Sequence, residues 1–400
     1  MKILYISHHI KTRSDLRMIN QAVRLAERGH ELTLLCIKDA GRIGIKEYDE
    51  DGIHYVETPD LLPGSMRTGW DPWDAINRRV YLRKNFEFDL VHAFETRPVT
   101  IHPLQMALRR KKIPLVIDWI DWWGRGGLIT TNRPKWYQIL FGGMETFYEE
   151  HFRTMADATT VICSGLGLRA EALGVHPDSI FKILIGVDAD KIPFVKPGTY
   201  RAEFGLNSSD QVAFFSAVYG GLMDVELVFD TAKMLSQTNS RFKLIMTGNG
   251  KEKLTKYAQQ KGLGNCFFHL GMLPRDEFVK ALTCAEVFLL PFADKPYNHG
   301  RWPCKIGDYL AAGRPIISNP VGEVQVMMQK HPAGILTEFT PESFAEGIRT
   351  VLADSAQAEQ MQKTARRAAE TDLRWDHIID EIEKAYRYAV NSHAADADSA

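Results

Sequence analysis

The sequence predicts two doubly wound α/β domains joined by a linker. Three observations lead there. At 400 residues the chain exceeds what one hydrophobic core usually serves. Short β-branched runs alternate with amphipathic helical stretches, the pattern of a parallel sheet covered on both faces. The alternation stops once, at Val187–Gly205 (VDADKIPFVKPGTYRAEFG), where two prolines and two glycines mark a linker, and then restarts.

In the first half, strands are expected at Ile3–Ser7, Glu31–Ile37, Asp89–Ala93, Leu115–Asp118, Thr159–Cys163 and Lys182–Ile185. Ser14 can cap a helix whose apolar face is Leu16, Ile19, Val23 and Ala26, with Gly29 as its stop. Further helices fall near 72–85, 98–111, 135–155 and 165–173. In the second half, strands are expected at Val212–Ser216, Phe242–Thr247, Cys266–Leu270, Val287–Leu290, Pro315–Ser318 and Gly334–Leu336. Helices there fall near 224–237, 250–261, 274–283, 303–312 and 341–370. Trp375–Val390 is a last amphipathic helix that needs a partner surface, and Asn391–Ala400 reads as a frayed tail. Ligands of such sheets sit at the carboxyl ends of strands, so two facing halves would bind them in a cleft.

Forty-nine basic residues stand against 50 acidic ones. That balance argues against coating nucleic acid, which needs a basic excess. Five scattered cysteines, none at the spacing of a zinc knuckle, argue against a disulfide framework or structural metal. The apolar run in MKILYISHHI is too short for a signal-peptide core, and a reduced, cytoplasmic protein is expected. Between Leu61 and Lys112 ten Lys or Arg face five acids, with Trp70, Trp73, Tyr81 and Phe86 interleaved. Such a stretch is either a solvated helix face or a contact for an anionic membrane surface.

The densest chemical signal is Leu289–Pro315, LLPFADKPYNHGRWPCKIGDYLAAGRP. A strand ends, a turn-rich loop follows, and Pro303 suits the start of a helix whose N–H groups favour an anion. Arg301 and Lys305 beside it could reach a diphosphate, and Asn298 belongs to the same polar set. Asp308 could accept from ribose hydroxyls, or form an i,i+3 surface pair with Lys305. Gly248 and Asn249 end a strand as a ligand contact or a tight turn. Glu323 opens a helix, where it either faces a sugar or simply suits the dipole. In the first half, Asp118 ends a strand and Asp121 lies in the loop beyond, where an acid can orient an acceptor hydroxyl or take its proton. His92, Glu95, His8 and His9 stand at neighbouring strand ends. Trp122, with Trp119, Trp123 and Arg125, suggests a stacking platform or packing.

These residues resemble a family. AAGRPII after a helix-borne acid, with LLP one strand earlier, looks like the donor half of glycosyltransferase family 4, the group 1 glycosyltransferases of the two-domain GT-B type, in a divergent branch. GHELTLLC (29–36), DLVHAF (89–94), MADATTVICSGLG (155–167), FKLIMTGNGKEKL (242–254), FHLGMLPRDEF (268–278) and AEVFLLP (285–291) follow in the family's order, and LRW (373–375) precedes its closing helix. The resemblance implies an acceptor-binding domain at 1–190 and a donor-binding domain at 191–372, both Rossmann-like. A helix at 373–391 would cross back to the first domain, ahead of a disordered tail at 392–400. It implies a nucleotide-diphospho-sugar as donor substrate, no cofactor and no metal. The acceptor would be a sugar or lipid-linked hydroxyl, at times at a membrane. Retention of configuration and a place in glycan or exopolysaccharide synthesis follow from the resemblance alone. Met272 and Leu273 would then read the base through their backbone, with Asp121 and His92 as catalytic candidates.

The chain departs from the family in three places. Gly300 stands where the family's donor motif has its first glutamate, Asp308 replacing the second. Loop 216–224 (SAVYGGLMD) lacks the basic pair, and Ile120 replaces the acceptor-side histidine. A non-catalytic nucleotide-sugar binder and a nucleotide-sugar epimerase are the alternatives.

Overall fold

The structure is a computed structural model, and it describes residues 1–10, 16–39, 41–62, 69–217 and 222–398. The chain divides into two compact units, Met1–Leu184 with Ile378–Ala400, and Ile185–His377. Each is an open sheet with helices on its faces.

The first sheet has eight strands: β1 Lys2–Ile10, β2 Glu31–Ile37, β3 Lys46–Glu50, β4 Ile53–Thr58, β5 Leu90–Phe94, β6 Leu115–Trp119, β7 Ala158–Val161 and β8 Ile180–Lys182. Their order is β3-β4-β2-β1-β5-β6-β7-β8. The chain moves outward in both directions from β1 and β5, which pair in parallel from Ile3↔Leu90 to Ser7↔Phe94. Their carboxyl ends form the topological switch point. Leu4, Ile6, Val91, Ala93, Leu115 and Ile117 pack one face of this sheet against Tyr81, Leu82, Ile101, Leu104 and Phe152.

The second sheet has six parallel strands: β9 Gln211–Ser216, β10 Phe242–Thr247, β11 Phe267–Gly271, β12 Val287–Leu290, β13 Ile316–Ser318 and β14 Gly334–Leu336. The order β11-β10-β9-β12-β13-β14 puts its switch point between β9 and β12.

Several expectations need correction. The β3–β4 hairpin was not foreseen, because KEYDE is polar and lies exposed at the sheet edge. Its signal was the Asp51–Gly52 turn, with φ of 52° and 75°, the left-handed pair that a two-residue hairpin demands. The last strand of the first half is Ile180–Lys182, upstream of the predicted Lys182–Ile185. The predicted 341–370 helix breaks at Asp354, whose carboxylate accepts from Ala356 N and Gln357 N to cap a new helix. Helix Leu16–Glu27 buries Arg17, Met18, Gln21, Ala22 and Leu25, one step round from the predicted face. The Ser14 cap lies outside the described residues.

The closing helix runs Trp375–Asp398, through most of the expected tail, because that stretch is rich in alanine. From Ile378 on it belongs to the first unit. Arg28 donates to Asp380 (2.7 Å) and Glu383 (3.1 Å), and the Tyr386 and Tyr5 hydroxyls bond at 2.8 Å in the core.

Candidate functional sites

In the second unit the polar residues gather at the β9/β12 switch point. The Lys305 ammonium, at the start of helix Lys305–Ala312, donates to the Ser216 carbonyl at 2.6 Å. It lies 4.8 Å from the centre of the Phe215 ring. Tyr309, one turn on and fully buried, accepts from Ser216 N at 2.9 Å, so this helix holds the end of β9 from two positions. Burial lowers the Lys305 pKa to about 8; the nearby Arg301 charge adds to this and Asp224 opposes it. Arg301 stands 5.1 Å from the Phe292 ring and 5.6 Å from the Tyr297 ring, and its Nε is buried without a hydrogen-bond partner. Asp224, in the first turn of helix Leu222–Thr238, has its pKa raised by burial while Lys305 and Arg301 draw it down. Two cations thus face one acid, an excess suited to a bound anion.

In sequence, loop 216–224 signals only its lack of cations, and its acid Asp224 carries no motif; residues 218–221 of that loop lie outside the described residues. The helix itself offers less to an anion than expected. It begins at Lys305 rather than Pro303, and the Ile306 and Gly307 N–H groups bond to the Pro303 and Cys304 carbonyls.

Lys305 and Asp308 do not pair with each other. Asp308 accepts instead from Arg275 at 2.7 Å, in a contact open to solvent. Asn298 is buried; its amide donates to the Ala293 carbonyl at 2.6 Å, fixing the loop after β12. Gly248 is demanded by packing, since a Cβ there would sit 1.7 Å from the Ala217 carbonyl oxygen where β9 and β10 end. Asn249 and Met272 are exposed and Leu273 half-buried beyond the same sheet edge, while Glu323 is buried in the first turn of helix Gly322–Lys330.

In the first unit the predicted strand-end residues separate into two groups. His8, His9 and Glu95 are brought together at the β1/β5 switch point. The two imidazoles lie 4.0 Å apart, and His8 Nδ1 is buried without a partner. Burial, with Arg97 and Arg78 nearby, holds His8 well below its usual pKa and lowers His9 to about 4. Glu95 takes a left-handed backbone (φ 66°) and uses both carboxylate oxygens, accepting from Ile120 N (3.0 Å) and Arg153 (3.1 Å). Burial raises its pKa, and Arg153 opposes the rise.

Asp118 and His92 do not belong to that edge. Asp118 is fully buried and bound by Arg17 at 2.5 and 3.2 Å and by Thr160 at 2.5 Å, so no oxygen faces an acceptor. His92 sits within β5. Its Nδ1 meets the Tyr386 hydroxyl at 2.8 Å, its Nε2 meets Thr160 at 3.3 Å, and burial lowers its pKa to about 4. Both are packing residues, and the catalytic and acceptor roles expected of them are withdrawn.

Asp121 is half-buried in the loop after β6, where its carbonyl accepts from Trp119 Nε1 at 3.0 Å. The tryptophans around it are largely committed. Arg153 covers the Trp119 ring at 4.2 Å, Arg169 covers Trp122 at 3.8 Å, and Arg97 and Arg133 lie over Trp123. The organiser of this loop is Glu149, absent from the sequence reading. It accepts from Trp119 Nε1 at 3.1 Å, from Trp123 N at 2.8 Å and from Gly124 N. An acid inside an apolar helical run was its only signal. Among the described residues no cluster of three His, Cys, Asp or Glu could hold a metal ion.

Two doubly wound units with polar residues at both switch points are the architecture of the GT-B type. Residues 198–368 match the family described as glycosyl transferases group 1, and residues 17–183 match the glycosyl transferase 4-like domain. The chain belongs to these group 1, family 4-type glycosyltransferases. An uncharacterised glycosyltransferase of Methanocaldococcus jannaschii is 22% identical over 193 residues, 48% of each chain, so the match spans about half of that relative. Among solved structures, sucrose-phosphate synthase of Thermosynechococcus elongatus superimposes with a TM-score of 0.75 at 14% identity, covering 97% of this chain and 98% of that one. A Rickettsia africae glycosyltransferase gives 0.72 at 12%, with 97% and 98% covered. Anabaena HepE, solved with UDP and glucose, gives 0.67 at 15%, with 97% and 99% covered. At such identities the likeness is one of fold.

Proposed function

We propose that this protein transfers a sugar from a nucleotide-diphospho-sugar to an acceptor hydroxyl, with retention of configuration. The observation that carries the reading is the pair Arg301 and Lys305 at the β9/β12 switch point, facing the single acid Asp224. Charge develops on the leaving diphosphate as the glycosidic bond breaks, and two fixed cations in a half-buried site stabilise it. Asp308 would take the ribose hydroxyls, exchanging its Arg275 partner for them. Met272, Leu273, Gly248 and Asn249 line the approach for the base, and Glu323 stands beside the sugar. Asp121 would orient the acceptor, with His8 and His9 near it. The acceptor is a sugar or a lipid-linked sugar of glycan or exopolysaccharide synthesis, handled on the cytoplasmic side, and a lipid-linked one would bring the protein to a membrane surface.

A second reading, a nucleotide-sugar binder without transfer, is favoured by Ile120 in place of the acceptor-side histidine. Uridine diphosphate is the first probe, since HepE is solved with it. Calorimetric titration of uridine, guanosine and adenosine diphosphates, followed by transfer assays with the matching sugars, tests both. Binding with turnover that falls in Lys305→Ala and Asp308→Ala supports the transferase. Binding without any product leaves the second reading, and wild-type turnover in both variants removes the assigned roles.

A further inference from the structure

Helix Lys135–His151 is inside out. Its buried residues are Glu145, Thr146 and Glu149, while its outward positions are apolar. Trp136 is 60% exposed, Ile139 82% and Leu140 68%, with Phe141, Met144 and Phe147 also exposed. The polar inner face has a job already, since Glu149 holds the Trp119–Gly124 loop and Glu145 accepts from the Tyr137 hydroxyl at 2.8 Å. Among the described residues nothing covers the outer face, and six large apolar side chains on one helix are more than a solvent-facing surface ordinarily carries.

Helix Pro72–Lys84 shows the feature in part: it buries Asp74 and Arg78 beside the core residues Tyr81 and Leu82, while Trp73, Ile76 and Val80 are exposed. Helix Pro98–Leu108 connects the two. It packs against Pro72–Lys84, and its His102 bonds the Tyr148 hydroxyl of Lys135–His151 at 2.8 Å. Tyr81, Leu82, Ile101 and Leu104 pack on one face of the first sheet, and Tyr148 joins the edge of that cluster.

Cations gather beside these helices, with Glu87 paired to Lys111 and Glu150 to Arg169. A groove of about 310 Å³ is lined by Arg79, Arg83 and Arg110 together with Leu82, Pro103 and Met106. From Gly124 to Met144 the sequence holds Arg125, Arg133 and Lys135 and no acid; Arg125 and Lys135 are exposed. Apolar residues with Trp among them, flanked by cations, form the composition that settles at a bilayer interface. A second copy docking through the same patch would set these cations against themselves, because a two-fold interface pairs a surface with itself.

We propose that the outer face of helices Pro72–Lys84 and Lys135–His151 docks on a bilayer containing anionic lipid. Trp136, Ile139 and Leu140 enter the acyl boundary, and the arginine groove takes a phosphate headgroup. This deepens the preceding reading by naming the surface through which the chain would meet a lipid-linked acceptor, yet its test does not pass through sugar transfer.

The test is flotation of the full chain with vesicles of phosphatidylglycerol and phosphatidylcholine in equal parts, against phosphatidylcholine alone. The protein is expected to float with the anionic vesicles only, and to release at about 0.5 M NaCl, where screening is short-ranged. Ile139→Glu/Leu140→Glu and Arg79→Glu/Arg83→Glu are each expected to lower binding at least about tenfold, given roughly fivefold per basic residue near such a surface. All four side chains are exposed, so thermal unfolding and uridine diphosphate binding should match wild type and serve as controls on folding. Three results overturn the proposal: no flotation of the wild type, equal flotation with neutral vesicles, or anionic binding that either pair leaves unchanged. A wild-type dimer that Ile139→Glu/Leu140→Glu converts to monomer, without vesicle binding, assigns the face to a second copy instead.

Discussion

The Lys305 ammonium and the Ser216 carbonyl oxygen are 2.6 Å apart, joining the first residue of one helix to the last residue of β9. This bond places a cation at the carboxyl edge of the second sheet without any basic residue in the loop that follows β9. It also keeps the ammonium close enough to the protein interior for its charge to be marginal.

Because burial lowers the Lys305 pKa to about 8, the group is cationic at pH 7 and increasingly neutral above pH 8. Diphosphate affinity should therefore fall between pH 7 and pH 9. Lys305→Ala removes a charge-assisted bond worth about 1.5–3 kcal/mol, or roughly 10- to 100-fold in affinity. Titration of uridine diphosphate at a series of pH values checks both, and the variant should be nearly flat across the range. A wild-type profile as flat as the variant's would take Lys305 out of the donor site.

Asp308 and Arg275 make a solvent-open pair at 2.7 Å. Exposed pairs contribute about 0–1 kcal/mol to stability, so neither single variant should unfold the unit. If Asp308 serves the ribose, Asp308→Ala weakens nucleotide binding about tenfold, the loss of one charged hydrogen bond. Arg275→Ala should leave binding within about twofold, since it frees the same carboxylate. Equal losses in both variants would show that the pair itself holds the site.

How far the sequence reaches depends on whether a residue's partner is near it in the chain. Among the described residues the strands follow from local pattern except β3, where polar edge residues hide the alternation, and β4, whose IHYVET run is short and adjoins it. The donor cations were legible because Arg301 and Lys305 share one loop and helix start. Asp118 and His92 were misread because their partners, Arg17, Thr160 and Tyr386, lie 101, 42 and 294 residues away. A strand-end acid looks the same in sequence whether it faces a ligand or a buried arginine. The exposed face of Lys135–His151 shows the converse: its apolar run suggests a core helix, and only Glu145 and Glu149 hint that the core lies on the other side.

The Tyr5–Tyr386–His92 chain of hydrogen bonds, 2.8 Å at each step, fastens the closing helix to the first sheet. Tyr386→Phe leaves the Tyr5 hydroxyl and His92 Nδ1 unpaired in the core and should cost about 1–3 kcal/mol. The histidine also makes this unit acid-sensitive. Its folded pKa, lowered by burial to about 4, lies below the ordinary 6.5, so the unfolded chain binds the proton more tightly. The stability is complete above pH 6.5 and is lost as pH falls toward 4, by up to about 3 kcal/mol for this group. Urea unfolding at pH 7.5 and pH 5 checks the slope, and His92→Gln should make it shallower by one proton. A slope that the variant leaves unchanged would move the effect to His8 and His9.

Asp118 and Asp121 lie three residues apart and should respond to substitution in opposite ways. Asp118 is paired with Arg17 at 2.5 Å, both side chains fully buried, and Arg17 also donates to the Ile183 carbonyl at 2.9 Å. Asp118→Asn strands a buried guanidinium and should destabilise the protein by about 3–5 kcal/mol, the usual result of removing one partner of a buried pair. What protein still folds should bind nucleotide as the wild type does, because the second unit is untouched. Asp121 is half-buried in a loop, and Asp121→Asn should shift stability by no more than about 0.5 kcal/mol. If its carboxylate orients the acceptor, transfer falls by roughly 10²-fold or more while nucleotide affinity holds. Chemical denaturation and transfer rates on the two variants, measured side by side, decide the matter. A stable Asp118→Asn with impaired transfer would restore Asp118 to the acceptor site, and a fully active Asp121→Asn would take Asp121 out of it.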